Sequence, residues 1–166
     1  ISRPENVGTS NTTGIEFNAK YIPANWVSFT NDFNYSHFAR EGDFEGSSFD
    51  FTGDQWSTRL TGKFKLPADI DIELIGNYRS NYRTLQQEVS ENLFMDFGAR
   101  KKILKGKAIV NLSVRDVFAS RISESITTQP TYYLRDYSKR GRFITLGISF
   151  GFGKGEAMEF SGQKHF

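Results

Sequence analysis

The feature that most constrains this chain is an alternation of period two that runs through long segments. In residues 13–22, Ile15, Phe17, Ala19 and Tyr21 share one parity, and Glu16, Asn18 and Lys20 share the other. Successive side chains of a strand project to opposite faces, so this pattern describes a sheet with one face in an apolar phase and one in water. The pattern recurs near the end, where Ile144, Leu146, Ile148, Phe150 and Phe152 alternate with Phe143, Thr145, Gly147, Ser149 and Gly151. No stretch approaches the ~20 apolar residues of a transmembrane helix. The chain reads as all-β.

Seven segments carry the alternation: roughly residues 13–22, 26–39, 55–65, 70–80, 92–101, 107–117 and 141–152. Connections after the first, third and fifth are short, with turn residues at 23–25, 66–69 and 102–106. Those after the second, fourth and sixth are long, at 40–54, 80–91 and 118–140. Outer-membrane barrels alternate short periplasmic turns with long extracellular loops in this way. Lys101, Asp116 and Arg142 share the apolar parity only at segment ends, and through the interior of the seven segments it carries no Asp, Glu, Lys or Arg. A charge there would cost roughly 2–4 kcal/mol at the bilayer midplane. The expectation is an antiparallel meander of about seven long transmembrane strands. A soluble β-domain also alternates, with its apolar face inward. Its strands are typically about 5–6 residues, however, against the ~9–11 needed to cross a bilayer.

Composition sets further bounds. At 166 residues the chain is long enough for one domain. It begins at Ile1 without a leader pattern and is expected to be processed or truncated. It has no cysteine, and its net charge of +2 implies no nucleic-acid partner. His37 and His165 are far apart and have no carboxylate at ligand spacing, so no metal site is expected. Residues 151–155, Gly-Phe-Gly-Lys-Gly, lack the ending of a phosphate loop. Asp71 and Glu73 alternate along a polar face as hydrated carboxylates rather than an acid–base pair. No enzyme activity, catalytic residue or cofactor is expected.

Several motifs resemble the C-terminal barrel of TonB-dependent outer-membrane receptors. Asn6-Val7-Gly8 leading to Gly14-Ile15-Glu16-Phe17 is similar to that family's entry into a descending strand. Asn77-Tyr78-Arg79 followed by Gln86, and Asp96-Phe97-Gly98-Ala99-Arg100-Lys101, resemble two further stations. Asn111 to Phe118 with Ser120-Arg121 resembles the signature before the last strand, and Phe143 to Lys154 resembles the closing strand. The resemblance implies a larger plugged barrel of about 22 strands, of which this chain would be the C-terminal segment. Residues 1–12 would be an extracellular loop remnant, 13–152 the barrel strands and 153–166 a polar tail.

The same resemblance implies a place in the outer membrane of a Gram-negative bacterium. The implied function is import of a scarce solute such as an iron chelate, vitamin or glycan. Expected partners are outer-membrane lipid, the rest of the barrel and its plug, an energy-coupling protein reached through the plug-bearing part, and a surface lipoprotein. A structural or assembly subunit and a soluble binding module are the alternatives. Ligand contacts are expected on the extracellular loops, at Phe44, Phe49, Phe51, Tyr82, Tyr132 and Tyr133, because rings on solvent-facing loops either meet a partner or pack onto the rim and close the loops over the barrel mouth. Arg59, Glu73, Arg79 and Arg115 are expected to face the lumen. There the basic residues either form a patch for an anion, or pair across strands with Asp71, Glu73 and Asp96 or hold the plug. Asp116-Val117-Phe118 reads as a structural turn rather than a ligand contact.

Overall fold

A computed structural model describes residues 8–44, 47–84, 87–129 and 131–151, the side chains of Phe44, Ser47 and Gln129 excepted. Two antiparallel sheets account for most of them. The larger is an open seven-stranded meander. Its strands in spatial order are β1 (Gly8–Ala24), β2 (Val27–Phe44), β3 (Ser47–Leu66), β4 (Ile70–Arg79), β7 (Asn92–Ile103), β8 (Ala108–Arg115) and β11 (Phe143–Phe150). The smaller is built from the long connections. In it β10 (Tyr132–Lys139) pairs with β9 (Ile122–Gln129), which pairs with β6 (Gln87–Val89) and through it with β5 (Tyr82–Arg83).

The ladder register fixes the faces of the larger sheet. Phe17 stands opposite Phe33, Leu74 opposite Gly62 and Phe97, and Leu112 opposite Ala99 and Leu146. One continuous apolar face therefore crosses all seven strands, and it is bare. Phe17 is 57% exposed, Leu146 67% and Ile148 71%, while no large side chain among the described residues is fully buried. A soluble sandwich would bury these residues in a dry core, so the soluble alternative fails on this face. Asn31 interrupts the apolar face, and its Nδ2 donates to Thr58 Oγ1 at 2.8 Å, which satisfies the amide locally. Lys101 ends the apolar face on β7, opposite Ile70. At that edge its ammonium can reach water along its stem.

The short turns hold their expected places with small shifts. β1 runs through Pro23 and Ala24 after a register irregularity, which leaves Asn25 and Trp26 as the turn. Ala68 and Asp69 take positive φ in the second turn (64° and 56°), and a 3₁₀ turn at Leu104–Gly106 makes the third.

The long connections depart most from expectation. Residues 40–44 and 47–54 do not form an irregular loop. The β2–β3 ladder continues unbroken to Phe44 opposite Ser47. Similarly, β5 and β6 occupy the connection at 80–91, and β9 and β10 the one at 118–140. At the other end, β1 is paired from Gly8, opposite Gly42, so residues 8–12 belong to a strand. The physical reason is that a free strand edge on a neighbour is a template, and the ladder extends wherever no residue forbids pairing. Residues 153–166, with Phe166 and His165, and also Phe152 and Asn6-Val7, lie outside the described residues.

The β2–β3 hairpin inverts its polarity on the way out. Up to Tyr35 opposite Trp56 the aromatic rings lie on the bare apolar face. Directly beyond, that face turns charged with His37 opposite Asp54 and Glu41 opposite Asp50. The rings meanwhile move to the other face with Phe38, Phe49 and Phe51. Phe38 is 9% exposed, and its ring sits 5.8 Å from that of Phe51 and against Gly53. A Cβ on Gly53 would come 2.6 Å from Phe38 Cζ, so glycine there makes room for the ring. Val27 to Tyr35 spans nine residues, at the lower end of the ~9–11 that a tilted strand uses to cross a bilayer. Tyr35, Trp56 and Tyr78 cluster at the upper edge of this apolar band, with Trp56 and Tyr78 rings 4.6 Å apart. Tyr78 Oη reaches out to Glu91 at 2.8 Å. Rings at the edge with hydroxyls on carboxylates mark an apolar-to-wet boundary.

Candidate luminal site

The second sheet is placed by one turn. Asp116 is 3% exposed and adopts φ 52°, and Ala119 follows with the same φ. The Asp116 backbone N–H donates to Asp96 Oδ1 at 2.8 Å. The Asp116 carboxylate accepts from the Ser120 N–H at 2.8 Å and from the Arg121 N–H at 3.0 Å, and the Ser120 hydroxyl lies 3.3 Å away. Ser120 Oγ also donates to the Leu93 carbonyl at 2.7 Å, and the Val117 N–H to the Met95 carbonyl at 2.7 Å. A buried carboxylate without a cationic partner is tolerable only when such donors surround it. The Asp116-Val117-Phe118 motif is thus a pivot that pins β8 to β7 and redirects the chain into β9, as a structural reading requires.

That pivot brings the start of β9 and the end of β10 over the polar face of the larger sheet. Arg121 and Ser123, with Ser138 and Arg140, line a concavity of about 740 Å³ together with Arg59, Asn77, Arg79, Asn92 and Phe94 of the wall. Four arginines face it against one carboxylate, Asp32. The two inner arginines lie over rings. Arg79 Cζ is 5.6 Å from the centroid of Tyr82, and Arg121 Cζ is 4.5 Å from that of Phe94. Arg79 Nε is buried with no hydrogen-bond partner among the described residues. Lower on the same face the charges are paired instead. Lys63 Nζ is 3.1 Å from Glu73, and Arg100 Nε is 3.9 Å from Asp71.

The expected site residues divide accordingly. Arg59 and Arg79 enter the concavity, Glu73 is the partner of Lys63, and Arg115 stands outside, opposite Phe143. Tyr82 enters indirectly, as the ring beneath Arg79. Phe49 and Phe51 belong to the upper hairpin, and Phe44 ends β2 with its side chain outside the described set. Tyr132 and Tyr133 are 56% and 64% exposed on opposite faces of β10, away from the concavity. The structure does not bring the six aromatics together. It assembles Arg121, Arg140 and Phe94 instead, which strand periodicity overlooked. The one available signal was position, since Arg121 follows the Asp116 turn directly.

Outside the apolar band, the hydrogen bonds from Tyr35 Oη (2.6 Å) and His37 Nδ1 (2.8 Å) hold the Asp54 carboxyl below the usual range. Among the described residues no group of His, Asp and Glu could hold a metal ion.

A bare apolar face over a polar one, in a meander of long antiparallel strands, defines the wall of a membrane-spanning β-barrel. The chain belongs to the outer membrane protein beta-barrel family, whose profile matches residues 1–152. It is thus an outer-membrane protein, with the apolar face toward lipid and the polar face toward the lumen. No curated protein and no solved structure matches it.

Proposed function

We propose that this wall serves an energy-coupled importer of the TonB-dependent type in a Gram-negative outer membrane, moving a scarce solute from outside. The observation that carries the reading is the concavity at the upper lumen, built jointly by the barrel wall and the β9–β10 sheet. A merely structural wall has no need of a polar hollow lined by oriented arginines beneath a folded connection. The motif order from Gly14 to Phe150 adds support, since it resembles that receptor family. The rest of the barrel, a plug and an energy-coupling protein would be its partners, and a surface lipoprotein could cap it.

The test is acquisition by cells with and without the gene. Uptake of labelled ferric citrate, cobalamin or an oligosaccharide should fall on deletion and should also fall when a protonophore collapses the proton gradient. If deletion weakens the envelope and leaves every uptake unchanged, the wall belongs to a structural or assembly subunit.

A further inference from the structure

We propose that the luminal concavity binds a multiply charged anionic solute bearing carboxylate or phosphate groups, with Arg79 and Arg121 as its principal contacts. Its place in transport rests on the importer reading, whereas the binding itself does not.

Four guanidinium groups against one carboxylate leave a strong positive potential in a half-enclosed hollow, where low-dielectric walls focus the field. None of Arg59, Arg79, Arg121 and Arg140 has an acidic partner within 4.0 Å among the described residues, although Asp32 stands opposite Arg59 in the ladder. The contrast lies within one face. The lower wall neutralises Lys63 and Arg100 with Glu73 and Asp71, whereas the hollow sets a single carboxylate, Asp32, against four arginines.

The arginines are also held in place. A guanidinium lying over a ring keeps its in-plane N–H groups free and loses less freedom on binding, which suits bidentate capture of a carboxylate or phosphate. Arg79 over Tyr82 and Arg121 over Phe94 have this arrangement, and Arg79 Nε is a buried donor lacking an acceptor among the described residues. Asn77, Asn92, Ser123 and Ser138 add neutral polar groups around them. A volume of about 740 Å³ falls within the ~300–1,000 Å³ of small-molecule sites. A neutral glycan would leave these cations uncompensated.

The experiment uses the intact protein in detergent and isothermal titration with citrate and with pyrophosphate, maltotriose serving as the neutral control. At least one anion should bind and maltotriose should not. Raising the salt from 50 to 500 mM should weaken binding several-fold. Arg79→Gln and Arg121→Gln should each weaken it about tenfold or more, while Lys63→Gln on the paired lower wall should change it less than twofold. Folding is checked by heat-modifiable migration, and if either glutamine variant misfolds, the wild-type salt dependence decides. Absence of anion binding to folded wild type, or equal binding by both arginine variants, overturns the proposal. So does a result in which the variants only make cells leaky to vancomycin, because the arginines then hold an acidic protein segment. Anion binding without energised uptake keeps the site and removes the importer; uptake of a neutral solute without anion binding does the reverse.

Discussion

Arg121 Cζ lies 4.5 Å from the centroid of the Phe94 ring and so ties the first residue after the Asp116 turn to the inner wall of the barrel. Such a pair contributes about 0.5–1 kcal/mol when exposed and ~2 kcal/mol when desolvated. A double-mutant cycle with Phe94→Leu and Arg121→Met, followed by urea unfolding from lipid, should give a coupling of about 0.5–1 kcal/mol. Additive single effects would mean that the β9–β10 sheet is not held to the wall here.

Asp116 is the next determinant. Asp116→Ala loses the acceptors of the Ser120 and Arg121 amides and places an alanine at φ 52°. The left-handed conformation costs a non-glycine residue roughly 1–2 kcal/mol, less for Asp and Asn, whose short side chains bond locally. Adding the lost hydrogen bonds, about 3–4 kcal/mol of destabilisation is expected. Asp116→Asn should lose only about 1–2 kcal/mol, since it keeps an acceptor and tolerates the backbone. Limited proteolysis should show early cleavage within 118–140 for the alanine variant alone. Equal resistance in both would remove Asp116 as the pivot.

The faces of the wall can be tested against each other. Leu74→Arg and Leu112→Arg place a cation on the lipid face at mid-strand, at a cost of about 2–4 kcal/mol each. Thr61→Arg, opposite Ile75 on the luminal face, meets water instead. The two leucine variants should lose folded protein from outer-membrane fractions, while the threonine variant should not. Equal effects on both faces would contradict the orientation.

The wall was legible in the sequence because lipid on one side and water on the other impose parity residue by residue. Ile15 to Tyr21 and Ile144 to Phe150 could be assigned a face with no knowledge of a neighbour. The upper hairpin was less so. Beyond Tyr35 neither face meets lipid, so Phe38, Phe49 and Phe51 changed sides without any local signal that pairing continued. The site was hardest to read. Arg59 and Arg79 sit on a readable polar parity, but Arg121 and Arg140 join them only because the Asp116 turn folds β9 across the wall. Phe94 broke parity on β7 as the ring beneath Arg121. A contact that depends on a positive φ and a buried carboxylate between two strands leaves no periodic trace.

The last prediction concerns acid. Asp54 stands beyond the apolar band and accepts from Tyr35 Oη and lies within hydrogen-bond distance of His37 Nδ1, which lowers its pKa from 3.8. A carboxylate whose folded pKa is depressed stabilises the fold above its unfolded value. That contribution is lost as pH falls through the lower, folded value. The upper hairpin should therefore hold its amide protection unchanged from neutral pH down to about 4, then loosen as the pH falls further, ahead of the strands within the membrane. Asp54→Asn should show weaker protection at neutral pH and no such step in acid. Hydrogen exchange of peptides covering 36–44 and 47–56, in lipid and over a pH series corrected for intrinsic rates, reads this directly. A wild-type hairpin whose protection is flat below pH 4, or an asparagine variant with the same acid step, would show that Asp54 does not fasten the hairpin.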